Sequence, residues 1–70
     1  MKNTYRYFVE IPNVDLDLPI SIEKGCYYFD IEITDNKVFG SHIKTKIKSI
    51  VYTSTDIELD TIILKEIHQL

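Results

Sequence analysis

Seventy residues with a formal net charge of −3 make one domain, residues 1 to 70, which buries only about 60% of the surface its unfolded chain exposes. Cys26 is the only cysteine, which excludes an intramolecular disulfide, and a lone thiol fits a reducing, cytoplasmic setting. With neither a disulfide nor a metal cluster to staple so small a core, partner binding or self-association is an expected source of stability.

In chain order, Met1 to Val9 carries Lys2 and Arg6 but lacks the apolar run of about 7 to 15 residues that a signal peptide needs. No window approaches the roughly 18 apolar residues of a membrane span, so neither export nor insertion is expected. From Thr4 to Ile11, Tyr5, Tyr7, Val9 and Ile11 alternate with Arg6, Phe8 and Glu10, the period-two pattern of a strand. Pro12 and Asn13 interrupt it. Val14, Leu16, Leu18, Ile20 and Ile22 then alternate with Asp15, Asp17, Pro19, Ser21 and Glu23, a weaker strand that Pro19 confines to an edge or splits in two.

After Lys24 and Gly25, Cys26 to Thr34 sets Tyr27, Phe29, Ile31 and Ile33 against Tyr28, Asp30 and Glu32, a third strand. Asp35, Asn36 and Lys37 read as a tight turn, hence a hairpin. Val38 to Thr53 places Ile43, Thr45, Ile47, Ser49 and Val51 opposite His42, Lys44, Lys46, Lys48, Ile50 and Tyr52. Ile43, Ile47, Ile50 and Val51 also match helical spacing. The unbroken alternation and β-branched content favour a long strand, bent at Gly40. Thr55 and Glu58 form a capping-box pattern before a helix expected to run to about His68. Its apolar arc, with Leu59, Ile62, Ile63, Ile67 and Leu70, is wider than a one-sided cover requires. The expected fold is therefore α+β: a four-stranded antiparallel meander or small barrel-like sheet with one C-terminal helix, in the order β-β-β-β-α.

Charge is sorted by segment. Residues 10 to 35 hold seven carboxylates and one lysine, 37 to 53 hold four lysines and no carboxylate, and 56 to 70 hold four carboxylates and one lysine. On a strand, His42, Lys44, Lys46, Lys48 and Tyr52 share one face, a candidate anion or nucleic-acid contact with an aromatic ring to stack on bases. The competing explanation is a hairpin in which Asp30 and Glu32 face His42, Lys44 and Lys46, each opposite pair contributing roughly 0.2 to 1 kcal/mol. The acidic balance of the whole domain favours the hairpin.

Chemistry-bearing patterns are sparse. Asp15 and Asp17, with Glu23 nearby, have a spacing able to chelate a hard cation, but Pro19 and Ile20 stand where a calcium loop needs an oxygen ligand and a glycine. Ser41 and His42 are neighbours that point apart on a strand, and neither Gly25 nor Gly40 opens a phosphate-binding helix. No catalytic residue, metal or cofactor is expected. Aromatic residues are more telling: if Tyr27 and Phe29 point inward, Tyr28 and Phe8 point outward. Together with Asp30, Glu32, Ile62 and Glu66 they make a candidate protein interface, since aromatic residues beside polar rims concentrate binding energy.

The expectation is thus a small acidic, non-enzymatic interaction protein that binds a larger protein, with a homodimer as a further possibility. An inhibitor or modulator carried by a phage or mobile element is one concrete form. Alanine is absent, isoleucine outnumbers leucine, and lysine outnumbers arginine, a bias that fits an AT-rich coding genome. The alternative is a nucleic-acid- or nucleotide-binding domain using the lysine-rich segment.

Overall fold

A computed structural model describes residues 3–12, 14, 16, 21–23 and 25–70. Asp15, Asp17 and Pro19, which figure in the expected second strand and the cation-ligand pattern, lie outside the described residues. Four strands and one helix follow in the order β1 (Asn3–Glu10), β2 (Ser21–Glu23), β3 (Cys26–Ile33), α1 (Ser41–Thr55) and β4 (Ile63–Gln69). The strands form one antiparallel sheet in the spatial order β2-β3-β1-β4. It is open, with β2 and β4 at its edges, and so is not the barrel considered from the sequence.

The first and third strands form where alternation places them. In the β1–β3 register Tyr5 faces Ile31, Tyr7 faces Phe29 and Val9 faces Tyr27. Cross-strand partners point to the same side, so the odd-numbered residues build one apolar face. Tyr7, Val9, Tyr27, Phe29, Ile31 and Ile33 are buried there, joined by Ile43, Ile47 and Val51 from α1 and by Ile11, Leu16, Leu59 and Ile62 from loops. Two buried tyrosines remain satisfied because their hydroxyls reach backbone. Tyr7 Oη donates to the Val38 carbonyl at 2.7 Å, and Tyr27 Oη accepts the Leu16 N–H at 2.8 Å. Each hydroxyl thereby pins a loop over the core.

The C-terminal half departs from expectation in two linked ways. Ser41–Thr55, expected as a strand, is helical. Ile43, Ile47 and Val51, four residues apart, form the buried stripe, whereas a strand would also have turned Thr45 and Ser49 inward. The helix leaves both exposed, and Thr45 Oγ1 donates to the Ser41 carbonyl at 3.0 Å. Between residues 41 and 55 there is neither glycine nor proline to interrupt it. The Asp35–Lys37 turn is present, with Asn36 at φ 64° and the Lys37 N–H donating to Asp35 Oδ1 at 3.1 Å. It leads into α1, however, and not into a hairpin.

The expected C-terminal helix is instead a loop followed by β4. Thr55 is the last helical residue, and its hydroxyl donates to the Val51 carbonyl at 2.8 Å while accepting the Ile57 N–H at 3.2 Å. The apparent capping box therefore closes a helix where it was expected to open one. The wide apolar arc resolves in the same way. Leu59 and Ile62 are buried in the loop, and Leu64 and Ile67 pack against the core from β4. A bulge makes that possible: Phe8 pairs with Glu66 and Val9 with Leu64, leaving Lys65 as an extra residue. The bulge shifts the alternation by one, bringing Leu64 and Ile67 to the same side of the sheet.

Since β3 and β4 run in the same direction on either side of β1, α1 belongs to a crossover connection spanning the sheet. That places the helix on the odd-numbered face. Among the described residues nothing covers the other face.

Candidate functional site

The uncovered face is built from even-numbered residues of β1 and β3 and their neighbours on β4. The register sets Thr4 against Glu32, Arg6 against Asp30, Phe8 against Tyr28 and Glu10 against Cys26. On the other side His68 stands beside Arg6, and Glu66 beside Phe8. Phe8 is at the centre of this surface. Its ring lies 6.5 Å from that of Tyr28, tilted by 44°, and 5.4 Å from the His68 imidazole in an edge-to-face contact at 88°. Both distances fall in the range where aromatic pairs attract beyond their area burial.

Arg6 frames the aromatic group. Its Nε and Nη2 donate to the two carboxylate oxygens of Asp30 at 2.8 and 3.0 Å, and its guanidinium carbon lies 4.6 Å from the centre of the Tyr28 ring. A planar fork held simultaneously by a carboxylate and a π-face has few remaining rotamers. The hydrogen bonds from Arg6 hold the Asp30 carboxyl below its ordinary range. In turn Asp30, mainly by that side-chain hydrogen bond, raises the pKa of Arg6. At the β4 side His68 Nε2 lies 3.2 Å from Glu66 Oε2 and donates to it, and Lys65 Nζ meets Glu10 Oε1 at 3.1 Å.

Five of the six residues expected at a protein interface thus meet on one surface: Phe8, Tyr28, Asp30, Glu32 and Glu66. Ile62 does not, being only 2% exposed within the core; in the loop that replaces the expected helix its side chain turns toward the sheet. Arg6 and His68 were missed. The signal for Arg6 was its place in the alternation of the first strand, directly across from Asp30, while His68 was hidden by its assignment to a helix.

The basic residues lie elsewhere. His42, Lys44, Lys46, Lys48 and Tyr52 are all on α1, so the face they would share on a strand is divided. Lys44, Lys48 and Tyr52 follow one another at four-residue spacing along one flank, while His42 and Lys46 lie along another. The His42 ring is turned back to the Lys37 carbonyl, 2.9 Å from Nε2. The expected hairpin that would set Asp30 and Glu32 opposite His42, Lys44 and Lys46 is likewise not formed, because those three basic residues are on the helix, and Asp30 is held by Arg6.

Burial, followed by a hydrogen bond with Glu23, raises the pKa of the Cys26 thiol, which disfavours the thiolate that a nucleophile or metal ligand requires. Among the described residues no group of three or more His, Cys, Asp or Glu side chains is placed to hold a metal, and no helix is long and apolar enough to cross a membrane. What the open face offers is a fixed aromatic centre with charged groups around it. No family model matches the chain, and no curated protein or solved structure matches it.

Proposed function

We propose that this is a small non-enzymatic interaction protein that docks on a larger protein through the uncovered face of its sheet. The observation that carries the reading is Phe8 set between Tyr28 and His68, with Arg6 locked to Asp30 and stacked on Tyr28. Tyr and Arg are enriched among the residues that dominate binding energy, especially when they are held in position before binding. The rim of Asp30, Glu32, Glu66 and Lys65 supplies the polar border such patches have. An inhibitory or modulatory role for a protein encoded by a phage or mobile element suits the small size of the domain and its compositional bias.

The test is affinity capture from a bacterial lysate with wild type, Phe8→Ala and Tyr28→Ala, each checked for unchanged folding by circular dichroism. A stoichiometric protein partner retained by wild type should bind the Tyr28→Ala variant more weakly by about 2 kcal/mol, roughly thirtyfold, with little dependence on salt. Equal retention by all three proteins, or no stoichiometric partner at all, overturns the reading. Retention of nucleic acid that falls steeply with salt and with Lys48→Glu assigns binding to α1 instead.

A further inference from the structure

β4 pairs with β1 along one side only. Its other side is a seven-residue edge whose outward N–H and C=O groups meet no strand among the described residues. Edges of this kind are templates for a further strand, and proteins usually blunt them by shortening, charge or bulges. At the opposite edge β2 is only three residues long. β4 is longer, and beside it Phe39 is 72% exposed, lining a hollow of about 260 Å³ with Leu64, Lys65, Glu66 and Ile67. The hollow is therefore part apolar and part an adjacent pair of opposite charges.

We infer that this edge is a homodimer contact, in which β4 of one copy pairs antiparallel with β4 of a second copy to continue the sheet across a two-fold axis. The reason is self-complementarity created by the bulge. Leu64 and Ile67 both face the core side, while Lys65 and Glu66, the two residues between them, both face the outer side: Glu66 is opposite Phe8, and Lys65 reaches Glu10. When two such strands run antiparallel with their bulges facing, Leu64 of each copy stands opposite Ile67 of the other. Lys65 of each then stands opposite Glu66 of the other. A closed two-fold contact requires this reciprocity, in which residue i meets j and j meets i.

The charges also select the register. A slip that sets Lys65 against Lys65, or Glu66 against Glu66, places like charges opposite each other and is disfavoured. The two Phe39 rings would flank the seam on the helix side, covering Leu64 and Ile67. The contact shares Lys65 and Glu66 with the polar rim of the open face but does not involve Phe8, Tyr28 or Arg6, so a substitution at Phe8 tests the one surface without removing the other.

The experiment is molar mass by light scattering and sedimentation equilibrium across a concentration series. Wild type should form a dimer. Lys65→Glu and Glu66→Lys should each weaken self-association at least tenfold by creating like-charged seams. Mixing the two variants in equal amounts should restore a dimer, as should combining both changes in one chain, whereas Phe8→Ala should leave the dimer intact. A wild type that stays monomeric to millimolar concentration overturns the inference. So does a dimer that both single charge variants form as well as wild type, since the contact then lies elsewhere.

Discussion

At Gly40 the backbone stands at φ 125°, ψ 178°, a region essentially reserved for glycine. A Cβ added there would lie 3.0 Å from His42 Nδ1. Gly40→Ala should therefore cost about 1 to 3 kcal/mol, with His42 displaced from the Lys37 carbonyl. The other end of α1 has the opposite fault. Asp56 adopts the left-handed conformation at φ 61°, and its N–H closes the last turn on the Tyr52 carbonyl at 2.8 Å. Glycine would relieve the Cβ crowding and remove a negative charge from the negative end of the helix dipole, so Asp56→Gly should stabilise by about 0.5 to 1 kcal/mol. Urea denaturation of both variants checks the pair, and equal effects of the same sign would contradict these cap geometries.

The Arg6–Asp30 pair gives a pH dependence at the same scale. Because its folded-state pKa is depressed, Asp30 stabilises the protein fully above its unfolded value, about 4. That contribution is lost as pH falls through the lower folded value. Asp30→Asn should thus be less stable than wild type near neutrality, and the gap should close on acidification below about pH 4. The effect is modest, since both side chains are more than one-third exposed and solvent screens them. Urea midpoints measured from pH 7 to pH 2 would show it; a gap that widens in acid would mean that other carboxylates dominate.

Among the elements, α1 is the one whose nature is tested most directly by substitution. Ile43, Ile47 and Val51 are fully buried, while Ile50 is 41% exposed. Ile47→Ala should cost about 2 to 5 kcal/mol, against about 0.5 kcal/mol or less for Ile50→Ala. Comparable losses at both positions would be inconsistent with this helix. The same segment explains why part of the fold was hidden in the sequence. The first and third strands are buried on one face and open on the other, so period-two alternation reports them faithfully. Residues 41 to 55 satisfy both periods at once, because their lysines fall at alternate positions while their buried isoleucines fall four apart. Only the choice of which apolar residues meet the sheet decides between them, and that choice is tertiary. In β4 the bulge at Lys65 breaks the alternation, and the spacing from Leu64 to Ile67 imitates a helix. The shared outer face of Phe8 on β1 and Tyr28, Asp30 and Glu32 on β3 was accordingly legible, whereas the placement of His68 and the burial of Ile62 were not.

For the whole molecule the decisive fact is asymmetry. One sheet face is sealed by α1 and its loops, and the other is an aromatic surface edged with charges. The segmental sorting of charge, legible from the start, acquires a different meaning in this arrangement. The lysines lie along two flanks of α1, which packs on the other side of the sheet from the acidic and aromatic face, so the protein presents surfaces of different character on the two sides of its sheet. A partner recognised by the open face would approach without meeting Lys44, Lys46 or Lys48.

The position of β1 in the middle of the sheet bears on the order of events during synthesis. Its neighbours are β3 and β4, and the contact between Asn3 and Gln69 joins residues 66 positions apart, with the Leu70 N–H donating to the Thr4 carbonyl at 2.9 Å. A nascent chain can form the β1–β3 pair early, yet one edge of β1 stays bare until β4 has left the ribosome. Closing so long a loop is entropically slow. During that interval the unpaired N–H and C=O groups along one side of β1 are open to the edge of any other strand, so the chain is most exposed to misassembly just before β4 pairs.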